Sequence, residues 1–121
     1  MADEITQKII GAAIEVHKHL GAGLLEAVYE EALCIEFIER EIVFQRQAPV
    51  NVTYKQHIIT GQRLDLLVEK CVVVELKSLK AVPDYASAQL LSYLKATGLK
   101  RGLLINFGEQ TLVRGIQRIS L

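Results

Sequence analysis

The segment from Cys71 to Gly108 most constrains the fold. An apolar run, "CVVVELK", is followed by the breaker "VPD" at 82–84, by a helical stretch Tyr85–Thr97 that ends at Gly98, and by a second apolar run, "RGLLINFG". Two short apolar strands joined through a helix pair in parallel, because the crossover carries the chain back to the starting end of the sheet. Asp84 stands where it can cap that helix.

The flanking segments fill in the rest. Residues 4–20 place Ile5, Ile9, Ala13, Val16 and Leu20 at three- and four-residue spacing, one stripe of an amphipathic helix stopped by "LGAG" at 20–23. A second helix is expected from about Leu24 to Arg40, with Leu25, Val28, Tyr29, Ala32 and Leu33 inward and an acidic outer side. "FQRQAPVNVTY" then reads as a strand whose Pro49 suggests a sheet edge or a bulge. A turn at 55–57 leads to "IITGQRLDLLV", and "TLVRGIQRISL" closes the chain as a last strand. The expected architecture is one α/β domain over residues 1–121, in the order ααβββαββ, with a mixed sheet between helices.

Composition agrees with a packed domain. Half of the 121 residues are hydrophobic, with eight Gly and two Pro, so a core is within reach. No apolar stretch approaches membrane-spanning length, and the acidic, amphipathic start is unlike a secretory signal. Cys34 and Cys71 lie too far apart for a metal motif and read as reduced thiols of a cytoplasmic protein, Cys71 within a core strand. Formal net charge is zero, which gives no overall field to attract nucleic acid. Yet residues 1–41 carry nine acids and three bases, and residues 42–121 five acids and eleven bases.

Charge inside the apolar strands is the chemically informative feature. Strand side chains alternate, so Glu75 and Lys77 share a face while Leu76 points into the core. Asp65 lies on the preceding strand. A two-residue turn at 69–70 would put Asp65 opposite Val74 and turn it away from Glu75. The two acids meet only if the connection has odd length, as with Glu69–Cys71, or contains a bulge. Adjacent carboxylates repel, a divalent cation relieves the conflict, and oxygen donors favour Mg²⁺ or Mn²⁺ over zinc. On spacing alone, an Asp…Glu-x-Lys pattern arises more often from strand-end salt bridges than from a site.

Two further pairs accompany it. Gly23, Glu26 and Tyr29 in "GLLEAVY" put Glu26 and Tyr29 on one helix face, and Gln89 and Tyr93 in "AQLLSYLK" lie one turn apart. Together these residues resemble the GxxExxY family of the PD-(D/E)XK nuclease superfamily, over nearly the whole chain. Asp65 and Glu75-Leu76-Lys77 are similar to the superfamily's acid and (D/E)XK signature, and Gln89-x-x-x-Tyr93 resembles the QxxxY motif of RecB-type nucleases. Leu64 stands where the superfamily's name has proline. Ala86-Ser87 stands where relatives are expected to carry His-Glu.

The resemblance implies a restriction-endonuclease-like three-layer core and hydrolysis of phosphodiester bonds, with DNA as the expected partner. It implies Asp65, Glu75, Glu26 and the Leu76 carbonyl as metal ligands and Lys77 on the nucleophile. Gln89, Tyr93 and Tyr29 would touch or position substrate. A non-catalytic binding module that keeps the fold is the alternative, and a small dimeric junction resolvase a third. The short chain makes a homodimer attractive, since pairing doubles the surface that grips a duplex. Glu30, Glu31, Lys80 and His57 read as surface residues. His17 and His19, two apart on a helix, diverge and make a poor metal pair.

Overall fold

The structure, a computed structural model, describes residues 3–121. Its elements are α1 (Asp3–Leu20), α2 (Glu26–Glu39), β1 (Phe44–Tyr54), β2 (His57–Val68), β3 (Val72–Lys77), α3 (Tyr85–Thr97), β4 (Arg101–Asn106), a single 3₁₀ turn (Leu112–Gly115) and β5 (Ile116–Ser120). The five strands form one sheet in the order β1-β2-β3-β4-β5. Only β3 and β4 are parallel, joined through α3 as the two apolar runs require. No helix among the described residues is long and apolar enough to cross a membrane.

Helices cover both faces of the sheet. Ile9, Ala13 and Val16 of α1 and Tyr29, Leu33 and Phe37 of α2 pack on Val72, Val74, Leu76, Leu103 and Ile105. On the other face Leu90, Tyr93 and Leu94 of α3 meet Val73, Leu104, Leu64 and Val50. β3 and β4 are therefore buried on both sides, which explains why they read as unbroken apolar runs. Burying a Leu- or Phe-sized side chain contributes about 1.5–3 kcal/mol, so this double layer is the main source of stability.

Several expectations need correction. Asp84 makes no side-chain capping bond. It is itself helical, and its carbonyl accepts from the Ser87 hydroxyl. Cys71 lies in the β2–β3 turn, not in the strand, and is half-buried, while Cys34 is buried; both are free thiols. The last apolar segment starts as a 3₁₀ turn, with strand only from Ile116. On α2, Leu25 is 77 % exposed and Val28 also faces solvent, whereas Glu30 is buried at 7 %. The buried face of α2 runs through Tyr29, Glu30, Leu33, Cys34 and Phe37.

The long hairpin β1–β2 changes face halfway along. Phe44, Leu66 and Val68 pack with α1 and α2, but Ala48, Val50 and Leu64 pack with α3. All have even numbers, so simple alternation would keep each strand's set on one face. The crossover falls at Gln47 and Asp65: the register passes from Arg46↔Leu66 to Ala48↔Leu64 without a rung between them, and Gln47 has φ 53°. A second irregularity lies between Val50 and Val52, and β1 is an edge strand, so the signal at Pro49 is doubly met.

Candidate active site

The β2–β3 connection sets the register that the chemistry needs. Glu69 and Lys70 take left-handed conformations, Cys71 N–H donates to the Val68 carbonyl (3.0 Å), and Cys71 is the extra residue. Val68 then pairs with Val72 and Leu66 with Val74. Extending that register sets Asp65 opposite Glu75, the odd-length arrangement expected from the sequence.

At this point the backbone ladder gives way to side chains. Asp65 N–H donates to Glu75 Oε2 (2.9 Å), and Leu76 N–H donates to Asp65 Oδ2 (2.8 Å). Each carboxylate thus holds a backbone amide beside the other acid. Since N–H and C=O of a strand residue point to the same side, the Leu76 carbonyl also faces the opening between β2 and β3. Lys77 follows two residues after Glu75 and is half-buried.

The electrostatics are those of crowded acids. Burial, then the Asp65 charge, pushes the Glu75 carboxyl up to about 8, against an opposing pull from the Asp65 amide and Lys77. Burial raises Asp65 too, opposed first by the Leu76 amide. Glu26 is raised by burial and by Asp65, and lowered by Lys77, so it belongs to the same electrostatic neighbourhood. An all-oxygen donor set with this unrelieved repulsion suits a hard divalent cation. Among the described residues, however, no three Asp, Glu, His or Cys side chains are grouped so as to hold a metal. The groups that could hold one are the Asp65–Glu75 pair and the Leu76 carbonyl, with Glu26 in their electrostatic reach.

The loop at residues 21–25, which leads into Glu26 at the start of α2, is fastened by Tyr29. Gly21 and Gly23 take φ 70° and 106°, which a residue with a Cβ resists. The Tyr29 ring is fully buried and stacks on Phe107 with centroids 4.5 Å apart. Its hydroxyl donates to the Gly21 carbonyl and accepts from Leu24 N–H. Ser78 Oγ donates to the Leu24 carbonyl (2.5 Å), tying the loop to the end of β3. Tyr29 therefore shapes the loop that delivers Glu26, and its hydroxyl is taken up by that task. Beside the loop runs a groove of about 490 Å³, lined by Gly23, Leu24, Glu26, Ser78, Leu79 and Lys80 among others.

Asn106 fixes the other side of that groove. It is 1 % exposed, accepts at Oδ1 from Leu79 N–H (2.9 Å) and Gly108 N–H (3.0 Å), and donates to the Leu79 carbonyl (2.9 Å). A Cβ on Gly108 would stand 2.1 Å from the Leu79 oxygen, so only glycine permits this approach.

Sequence reasoning missed a second polar group. Glu30 Oε2 accepts from Arg46 Nε (2.7 Å), and both its oxygens accept from Gln47 Nε2 (3.0 and 3.2 Å). Arg46 also donates to Glu31 (2.8 Å). Gln47 stands opposite Asp65 at the missing rung and is the last of the influences that oppose the upward push on the Asp65 carboxyl. One signal was available: Glu26 and Glu30 are four apart and so share a helix face.

On α3, Tyr93 is buried among Val50, Leu64, Val73 and Leu104, and its hydroxyl is raised by burial and by the charges of Glu75 and Asp65. Gln89 is exposed one turn earlier. His17 donates to or accepts from no acid of the site; its Nε2 meets the Glu109 carbonyl (2.9 Å), while exposed His19 contacts Glu15.

Comparison with known proteins bears on this arrangement. No curated protein and no solved structure gives a significant match. A family model described as PD-(D/E)XK nuclease superfamily matches residues 3–119, a span that holds every residue of the acid–acid–lysine group. The chain belongs to the PD-(D/E)XK nuclease superfamily.

Proposed function

We propose that this protein is a metal-dependent nuclease that hydrolyses phosphodiester bonds in DNA. The observation that carries the reading is the reciprocal pairing of Asp65 and Glu75 at the point where β2 and β3 part, with Lys77 next along the strand. Asp65, Glu75 and the Leu76 carbonyl would hold Mg²⁺ or Mn²⁺, with Glu26 joining through water. Such a cation, when bound, polarises a phosphate oxygen and makes a nucleophile available near neutral pH. Lys77 orients the attacking water and balances charge growing on phosphorus. Tyr93 supports the acids from the α3 side, and exposed Gln89 contacts the substrate backbone. The groove beside Glu26 and Lys80 receives the strand. A homodimer would complete the grip on a duplex.

The finer likeness to GxxExxY and RecB-type proteins belongs to the same proposal. It rests on Tyr29 fastening the Gly21–Leu24 loop just ahead of Glu26, and on Gln89 and Tyr93 lying one turn apart on α3, where Tyr93 feels the charges of Glu75 and Asp65. The test is a panel of labelled single- and double-stranded DNA and RNA with Mg²⁺ or Mn²⁺, run beside Glu75→Ala and Lys77→Ala. Cutting by the wild type alone supports the reading; cutting that survives both substitutions defeats it.

One observation favours a second reading, a non-catalytic nucleic-acid-binding module. Asp65 and Glu75 each spend an oxygen on a backbone amide, and no three-acid cage is preformed among the described residues. In that case labelled DNA is retained equally with Mn²⁺ or with chelator, and none is cut.

A further inference from the structure

Gln47, the fourth residue of the eleven-residue strand β1, has φ 53°, a left-handed conformation that side chains with a Cβ disfavour. Something must hold it there. Its amide nitrogen is anchored on both oxygens of Glu30, its carbonyl accepts from Arg63 (3.2 Å), and Glu30 is itself buried and fixed by Arg46. An ion pair between Arg46 and Glu30 would suffice to pin α2 against β1. It does not require the next residue to adopt an unfavourable backbone. What the conformation achieves is local: Gln47 stands opposite Asp65, the rung between them is absent, and β1 and β2 both change face at this point.

We propose that Glu30 and Gln47 are positioning residues for Asp65. Buried Glu30 anchors the Gln47 amide, and Gln47 holds the Asp65 side chain toward Glu75 where β2 turns over. Hydrogen bonds join Arg46 and Gln47 to Glu30, and Asp65, opposite Gln47, is the metal-site acid of the nuclease reading, on which the functional meaning of this inference rests. Outer contacts of this kind orient a ligand carboxylate, and their removal typically weakens metal affinity or activity about 10–100-fold.

The test uses Gln47→Gly and Glu30→Gln in the full chain. Glycine accepts φ 53° freely, so Gln47→Gly removes the amide while easing the backbone. Three readouts are taken: thermal unfolding, the χ1 coupling constants of Asp65 by NMR, and the Mn²⁺ dissociation constant by calorimetry. Expected are an unfolding temperature for Gln47→Gly near that of the wild type, an Asp65 side chain that passes from one staggered rotamer to an average, and Mn²⁺ affinity weakened about tenfold or more in both variants. An Asp65 rotamer unchanged in both variants overturns the proposal, whatever happens to stability. Should the wild type itself neither take up Mn²⁺ nor cut DNA while Asp65 is freed in the variants, the nuclease reading falls and the positioning role stands.

Discussion

Asp65 and Glu75 face each other across β2 and β3, and each carboxylate accepts a hydrogen bond from backbone beside the other: Asp65 N–H to Glu75, Leu76 N–H to Asp65. The amides keep the two acids together without a cation; burial and the Asp65 charge push Glu75 up to about 8, and burial raises Asp65 as well.

That repulsion makes metal-free stability depend on pH. Glu75 is raised from 4.5 to about 8, and Asp65 and Glu26 move the same way. A carboxyl raised on folding binds its proton more tightly in the folded state. Its contribution is complete below pH 4.5 and is lost as pH climbs through about 8. In chelator, the unfolding temperature is expected to fall between pH 5 and pH 9 by an amount worth a few kcal/mol. Glu75→Gln, which keeps an acceptor for the Asp65 amide, should flatten most of that slope. Thermal melts at five pH values check it.

Tyr29→Phe keeps the stack on Phe107 and removes only the hydroxyl that joins Gly21 to Leu24. Loss of one donor and one acceptor contact should cost about 1–2 kcal/mol. The loop carrying Glu26 should also exchange amide hydrogens faster, at Leu24 above all. Hydrogen exchange with denaturant melts separates the two effects.

Lys77→Met should leave DNA retention within a few-fold while lowering kcat about 10²–10³-fold, because the ammonium acts on charge that develops during reaction. Single-turnover cleavage beside filter binding is the check. Lys80→Met, on the groove wall, should weaken retention and leave single-turnover rate nearly unchanged.

Asn106→Ala leaves the Leu79 and Gly108 amides and the Leu79 carbonyl without their partner in a part-buried place. A loss of about 2–4 kcal/mol is expected, read from urea unfolding. Asn106→Asp keeps the acceptor for the two amides but sets a carboxylate oxygen against the Leu79 carbonyl, so it should rescue only part of that loss.

Much of this was legible in the sequence because it follows from local rules. Apolar "VVVELK" and "GLLINF" around a helix-length segment specify the parallel pair, and the conflict between Asp65 and Glu75 under a two-residue turn called for the extra residue that proves to be Cys71. Glu30 escaped because its burial depends on Arg46 and Gln47, which reach it from a strand sixteen and seventeen residues away. Asn106 looked like one more residue of a buried strand, since the groups it satisfies at Leu79 lie 27 positions earlier. Leu25 and Val28 were expected inward from hydrophobicity alone, yet the turn of α2 that places Tyr29 on Phe107 leaves both facing solvent.

Calorimetric titration of Mn²⁺ into chelator-stripped protein at pH 7 addresses the metal site most directly. Expected is one binding event that releases protons, since a carboxyl raised to about 8 must ionise to become a ligand, and that disappears in the Asp65→Asn/Glu75→Gln double variant. A wild type that takes up no Mn²⁺, or uptake that persists unchanged in the double variant, contradicts the assignment of this pair as the site of a metal-dependent nuclease.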